Sequence, residues 1–543
     1  MQDSSVIHCH APATGQYLGH VNASTPSDID EKVELAQAAQ EEWRTTTFKQ
    51  RKRVLQTILN FVLANKQEIS RIACLDSGKT MIDASLGEIL VTVEKLKWTI
   101  DHGEQALRPS KRPTNLLMMY KSNEVRYEPL GVVAALVSWN YPFHNLIGPM
   151  ISAIFAGNAI VVKASENTAW SASYFTKIVQ HALKVCGHNQ NLVQHVVCWP
   201  NVAGHLSSHP SISHITFIGS KQIAHKVAAS AATALTPCVM ELGGKDAAVV
   251  LDSALPDLPR ITEILLRGTF QASGQNCIGI ERIIATPAIH DRLVSALSPR
   301  IAALRVGSDL DSSPAEHIDM GAMISSNLFD HLEDLIASAV QAGAKLHCGG
   351  KRLTHPKFTK GHYFQPTLLT NVTTDMEVAK LECFAPICVV YAAKDYKDAI
   401  KIANSPDFGL GASVFGAVPS LFHTSRSARQ TMEVVEAMKT GMVAINDFAA
   451  YYAVQLPFGG VGGSGYGRFA GEEGLRGLCN LKSVCVDRFG WAGVGTAIPP
   501  PVRYPVKDTR KGFAFTSAVI ELGYAGLWGK VLGLASLLKN SMG

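Results

Sequence analysis

The chain contains no CxxC pair, and its eleven cysteines are odd in number and widely scattered. That usage argues against a disulfide framework and against structural zinc, and it fits a reducing, cytosol-facing compartment. Lys and Arg form no long block and are not interleaved with aromatic residues, so the net charge of +5 does not point to nucleic acid. Met1 to Asn22 shows no charged leader followed by an apolar run, so neither a signal peptide nor an N-terminal anchor is expected. What the chain does have is length and apolar content. With 543 residues, 47% of them apolar, two or three interlocked domains of ordinary size are expected.

Between Pro26 and Gly103 apolar residues recur at three- and four-residue steps (Val33, Ala36; then Val54, Leu55, Ile58, Leu59, Val62), which predicts amphipathic helices. Met118 to Val125 reads as a strand leading into a turn. Val132 to Ser138 is an unbroken apolar run of the length expected for a strand buried on both faces. Shorter runs follow at Ala159–Lys163, Val193–Cys198 and His214–Ile218, separated by helical stretches such as Ala169–Val185. Alternating strand and helix imply a doubly wound parallel sheet, hence an α/β fold. A second set of alternations runs from Ala247 to about Asn446 and predicts a second α/β domain, with the boundary near Glu241. After Ile498-Pro499-Pro500-Pro501 the chain changes character, and Phe513 to Leu538 reads as an appendage. Gly512, Gly523, Gly526, Gly529 and Gly533 make it a poor spanning helix; an interfacial helix carrying Leu527 and Trp528 and a helix packed on its own protein remain open.

Three short segments carry candidate chemistry. Cys277 follows Ser273-Gly274-Gln275-Asn276, small and polar residues that allow a tight turn, an approachable thiol and a thiolate stabilised by nearby backbone N–H groups. A lone cysteine is nevertheless more often buried and inert. Glu241, in Met240-Glu241-Leu242-Gly243-Gly244-Lys245, is a carboxylate beside glycines that let a ligand approach; an ordinary charged loop residue is the plainer reading. Asn140, in Trp139-Asn140-Tyr141-Pro142-Phe143, emerges just past the buried strand, where doubly wound folds bind ligands and an amide serves as an oxyanion donor. It could equally cap the turn before Pro142. The dinucleotide fingerprint GxGxxG is missing from its usual place after the first buried strand, Gly244-Lys245 lacks the Ser/Thr of a phosphate loop, and the glycine cluster Gly459–Gly465 is read as a turn. No metal site is expected.

These segments, in this order and at these separations, resemble the aldehyde dehydrogenase superfamily over about Ala11 to Ser483. The match identifies Asn140 as oxyanion donor, Glu241 as general base and Cys277 as nucleophile. Lys163 and Glu166 resemble the family's adenosine-ribose contacts, and Gly219-Ser220 its pyrophosphate turn, which opens a helix suited to an anion. Glu382 resembles the glutamate on the nicotinamide ribose, with Phe384 beside it. Ser138, Trp139, Ile223 and Leu242 complete the cofactor set, and Asn446-Asp447 and Pro457-Phe458-Gly459-Gly460 also match. The stretch around Asn140, the run after Cys277 and the Ile-Pro-Pro-Pro-Val-Arg-Tyr-Pro tail are similar to the family-22 type of plants and its fungal relatives. Two residues depart from the superfamily pattern: Ala385 stands where a glycine is usual and Phe469 where an acid is common.

The resemblance implies a variant Rossmann domain over 1–240, with hairpin 115–131 in a small β oligomerisation element. A catalytic α/β domain follows over 241–453, a return segment over 454–490 and a C-terminal extension over 491–543. It implies NAD(P)-dependent oxidation of an aldehyde to a carboxylic acid through a cysteine thiohemiacetal and thioester, with NAD preferred over NADP because Glu166 would repel a 2′-phosphate. A homodimer or homotetramer is expected, formed through segments near Leu116–Val125 and Leu478–Val486. So is a cytoplasmic location, with candidate attachment through the extension to an intracellular membrane such as the endoplasmic reticulum. Phe448, Tyr451 and Tyr452 suggest an apolar, aromatic-tolerant pocket entrance. The alternatives are an esterase or semialdehyde-specific enzyme using the same Cys277, and a non-catalytic, membrane-associated binding protein that keeps the fold.

Overall fold

Five consecutive apolar residues, Val132–Leu136, form a strand buried along its whole length. In this computed structural model, which describes residues 5–313, 316–420, 425–448 and 453–541, that strand is the centre of a six-stranded sheet. Parallel strands Ala159–Ala164 and Val193–Val197 lie on one side of it, and Ile212–Ile218 and Cys238–Glu241 on the other. Gly465–Tyr466 closes that edge antiparallel to Cys238–Glu241. The strand order reverses at Val132–Leu136, so the chain leaves a crevice beyond the carboxyl ends of that strand and Ile212–Ile218. The helix Ala169–Val185 spans the residues its periodicity predicts.

A seven-stranded sheet follows the same logic. Its order is Lys345–Cys348, Thr367–Thr370, Ile387–Ala392, Arg282–Ala285, Ala247–Val250, Gly411–Phe415 and Met442–Ile445, and only the first strand runs antiparallel. Its central strands are almost wholly buried, which is why they read as apolar runs without alternation.

The chain divides into two units, one of residues 1–106 and 129–479, which holds both of these sheets, the other of residues 107–128 and 480–543. Within the second unit the strand expected from Met118 begins instead at Lys121, after a single 3₁₀ turn at Leu116–Met118. It belongs to a three-stranded sheet with Ser110–Arg112 and Cys479–Asp487. The unit ends in two helices, Thr509–Tyr524 and Leu527–Ser541, packed on one another. Four of the five tail glycines sit inside these helices, and only Gly526 lies between them. A β-carbon at Gly533 would lie 2.9 Å from the Glu521 β-carbon, so this glycine permits close helix packing instead of breaking a helix. No helix among the described residues is long and apolar enough to cross a membrane.

Candidate active site

A cavity of about 360 Å³ opens at the reversal of the six-stranded sheet. Three strands deliver residues to it from their carboxyl ends: Ser138, Trp139 and Asn140 after Leu136, Gly219 and Ser220 after Ile218, and Glu241 with Leu242 at the end of Cys238–Glu241. The turn after Ile218 is tied to Glu241 by the Gly219 N–H, which donates to the Glu241 carbonyl at 3.0 Å. Cys277, Glu382 and Phe384 reach the same cavity from the seven-stranded half.

The Asn140 side chain is held from both ends. Its Oδ1 accepts from Ser138 Oγ at 2.6 Å and from Asn145 Nδ2 at 3.1 Å, and its Nδ2 donates to the Gln275 carbonyl at 3.1 Å. The last bond joins the loop of Asn140 to the loop of Cys277. This side chain is therefore not a cap for the turn before Pro142.

The Cys277 loop is built on backbone that side chains rarely adopt: Ala272, Ser273 and Gly274 all have positive φ, of 53°, 57° and 72°. Its surroundings hold that strain in place. The Ala272 N–H donates to Asp83 Oδ2 at 3.1 Å, Ser273 Oγ donates to the Gly321 carbonyl at 2.8 Å, and Gln275 Oε1 accepts the Ile324 N–H at 2.9 Å. At Gly274 a β-carbon would lie 2.1 Å from the Ala385 carbonyl oxygen, so only glycine fits against that turn.

The thiol of Cys277 and the carboxyl of Glu241 face one another as hydrogen-bond partners. Burial, then the Glu241 carboxylate, push the thiol well above its ordinary pKa. This reverses the expectation of a thiolate stabilised by backbone N–H groups: a buried site with carboxylates nearby penalises a second negative charge. Burial also raises Glu241 from 4.5 to about 7, opposed by its hydrogen bonds to Cys277 and to the Gly243 backbone. Among the described residues Glu241 Oε1 is buried with no hydrogen-bond partner. A carboxyl poised near neutrality, beside a thiol and with a spare acceptor, is equipped to take up a proton.

The residues assigned to a dinucleotide fall into two groups. Ser138, Trp139, Gly219, Ser220, Leu242, Glu382 and Phe384 line the cavity, and the rings of Trp139 and Phe384 meet edge to face at 5.6 Å. Ser220 caps the helix Lys221–Thr233 without a side-chain bond to it, leaving the first-turn N–H groups free for an anion. Glu382 Oε1 accepts the Gly244 N–H at 3.1 Å. The buried Glu281 carboxylate, itself paired with Lys245, accepts the N–H groups of Cys383 and Phe384 and so fixes this turn. Lys163 and Glu166 lie outside the cavity wall and pair with each other at 2.9 Å. Ile223, in the first turn of Lys221–Thr233, is 42% exposed and also outside the wall. Asn446 exchanges two bonds with the Gly416 backbone, which makes it a clasp between strands. Phe448 is buried, whereas Tyr451 and Tyr452 lie outside the described residues.

Four polar residues escaped the sequence reading. Lys79 and Glu88 form a buried pair at 2.6 Å. Lys79 also donates to the Asn140 carbonyl at 2.7 Å, and Glu88 accepts the N–H groups of Phe143 and His144, so together they support both ends of the Asn140 loop. Glu88 sits in a π-helical turn, Ser85–Leu90, a device frequent at functional sites. Lys95 and His144 line the cavity. The available signal was register: Lys95 lies on the same helical face as Val91, Leu96 and Thr99, where a charge is unexpected.

The aldehyde dehydrogenase family pattern matches residues 1–484. An aldehyde dehydrogenase-like protein of Schizosaccharomyces pombe is 50% identical, the match covering 99% of this chain and all of that protein. One of Saccharomyces cerevisiae is also 50% identical, over 99% of this chain and 83% of its own. An NADP-named succinate-semialdehyde dehydrogenase of Mycobacterium ulcerans is 31% identical over 88% of this chain and 98% of its own. Among solved structures, a Mycobacterium tuberculosis aldehyde dehydrogenase complexed with NAD+ superposes with a TM-score of 0.79. It is 28% identical and the match covers 89% of this chain and 95% of that one.

Proposed function

From the premise that this chain belongs to the aldehyde dehydrogenase family, we propose that it oxidises an aldehyde to a carboxylic acid through a thioester on Cys277. The observation that carries this reading is the Glu241 carboxyl, buried, facing the Cys277 thiol and holding one oxygen without a partner.

Because the thiol is protonated at neutral pH, Glu241 takes its proton as the sulfur attacks the carbonyl carbon. The carbonyl oxygen becomes an oxyanion, received by the Asn140 amide and the Cys277 backbone N–H. A nicotinamide dinucleotide, when bound, supplies the two-electron acceptor that converts this thiohemiacetal into a thioester. Glu241 passes that proton to solvent and, ionised again, removes a proton from the water that attacks the thioester carbon. The C–S bond breaks, the acid leaves, and Cys277 is restored.

The residues present fit such a cofactor. The open N-terminus after Ser220 suits its pyrophosphate, and Gly243 leaves space that a β-carbon, 2.3 Å from Glu382 Oε1, would fill. Glu382, Phe384 and Trp139 would hold the nicotinamide half, and Lys163 with Glu166 the adenosine ribose. The Glu166 carboxylate favours NAD over NADP by repelling a 2′-phosphate. In this reading the six-stranded sheet carries the cofactor and the seven-stranded sheet the nucleophile. The sheet of Lys121–Pro129 pairs copies into a dimer or tetramer, which sedimentation tests.

The test of function is NADH formation at 340 nm from a panel of aliphatic and aromatic aldehydes, beside Cys277→Ala and repeated with NADP. Turnover in the native protein and none in the variant is expected; equal turnover in both removes the thioester.

A second reading concerns the C-terminal helices, where Leu527 and Trp528 are 81% and 80% exposed. These side chains support contact with a membrane surface. Vesicle co-sedimentation of the full chain against a chain ending at Asp508 tests it, and equal partition of the two ends the idea.

A further inference from the structure

We propose that Lys95 selects the substrate: its ammonium group receives a carboxylate carried by the aldehyde at the far end of an apolar spacer. The proposal rests on the reading of the cavity as an aldehyde site and names the class of aldehyde that fits it.

The helix Val91–Ala106 buries Val91, Thr92, Lys95, Leu96, Thr99, Gly103 and Ala106 on one face. Lys95 is the one charged residue in that set. It is 7% exposed and contributes to the cavity wall. Among the described residues its ammonium makes one hydrogen bond, a long one of 3.4 Å, to the Phe469 carbonyl. The other buried lysines have partners: Lys79 pairs with Glu88, and Lys245 with Glu281. Burial alone, with no carboxylate to oppose it, brings the Lys95 amine down to about 8. A buried cation left this way is stabilised when an anion enters beside it.

The neighbours agree with such an occupant. His144 also lines the cavity and is held neutral, its pKa lowered to about 3 by burial and by the charges of Lys95 and Lys79. Its Nδ1 is engaged with Thr92 Oγ1 at 2.9 Å, which fixes the ring without supplying Lys95 with a counter-charge. Most of the remaining wall is apolar, including Val91, Met442, Val454 and Phe458. One ammonium at the end of a largely apolar wall can pair with one anionic group at the end of an apolar spacer, and a carboxylate is the smallest such group. The substrate class is therefore an ω-oxo carboxylate, and the product a dicarboxylate.

The test compares hexanal with 6-oxohexanoate in the native protein, Lys95→Met and Lys95→Gln, and measures adipate binding to Cys277→Ala with and without Lys95→Met by calorimetry. The native kcat/KM should favour 6-oxohexanoate, and each Lys95 variant should lower the ratio of the two substrates by about 10- to 100-fold. Adipate should bind Cys277→Ala and lose that binding when Lys95 is replaced. Adipate binding through Lys95 without turnover of any aldehyde would uphold the anion site and sink the oxidation. Equal kcat/KM for hexanal and 6-oxohexanoate in the native protein would overturn the Lys95 proposal and leave the oxidation standing. Adipate binding that survives Lys95→Met overturns it too.

Discussion

Lys79 Nζ stands 2.6 Å from Glu88 Oε1 and 2.7 Å from the carbonyl of Asn140, with both charged side chains buried. One ion pair thus holds the backbone on which the proposed oxyanion donor depends. Removing one partner leaves the other charge buried and unpaired, at about 3–5 kcal/mol, whereas removing both together costs much less. Glu88→Gln should therefore lower the melting temperature steeply, and Lys79→Met with Glu88→Leu should restore most of it. The double variant should remain slow in turnover, because no cation then anchors the Asn140 carbonyl. Additive losses in the double-mutant cycle would show that the pair is not coupled.

Asn140 itself should matter to chemistry more than to stability. Asn140→Ala removes a donor aimed at the developing oxyanion, a loss of about 10²–10³ in kcat for a preorganised donor. KM for the aldehyde should change little, since the amide acts on a charge that exists only after attack. A variant that raises KM and spares kcat would place Asn140 in substrate binding.

Gly243 separates the proposed base from the proposed ribose contact. Its φ is +73°, and a β-carbon would fall 2.3 Å from Glu382 Oε1 and 3.1 Å from Oε2. Gly243→Ala must move Glu382, so dinucleotide binding, read by quenching of protein fluorescence, should weaken by at least about tenfold, with some loss of stability from the positive φ. Unchanged cofactor affinity would remove Glu382 from the cofactor site.

Both sheets were legible because buried parallel strands are unbroken apolar runs: Val132–Leu136 and Ala247–Val250 could be read directly. The segments bearing Asn140, Glu241 and Cys277 were legible as short motifs. Three features were not. The left-handed run Ala272–Ser273–Gly274 is imposed by tertiary bonds to Asp83, Gly321 and Ile324, since Ala and Ser have no preference for it. The thiol of Cys277 is shifted by burial and then by carboxylates brought from distant segments, a sum that local sequence does not contain. The tail glycines marked a poor spanning helix, but nothing in the sequence told that Gly533 serves packing between two helices. Glu88 and Lys95 escaped because charged residues on helices are ordinarily assigned to water, and Lys79 because it lies in the short link between Ser77 and Met81, where a charge is unremarkable.

The rise of Glu241 from 4.5 to about 7 makes one residue testable in two ways. As a base it must be ionised, so thioester hydrolysis should increase with pH through a midpoint near 7. Glu241→Gln should be slow at every pH in the first release of NADH as well as in steady turnover, because it has no base for the thiol or for the water. The same shift sets a stability dependence. Below about pH 4.5 the folded and unfolded carboxyls are both protonated, and the two proteins should differ little. Between about 4.5 and 7 the unfolded chain releases its proton while the folded one keeps it, so the native protein loses stability as pH rises. Above 7 the loss levels off at about 3 kcal/mol. The glutamine variant does not titrate, so its melting temperature should pull ahead of the native protein across that window and then hold a constant lead. A lead that does not change with pH would mean that Glu241 is not strained by burial, and the assignment of the base would have to move elsewhere in the cavity.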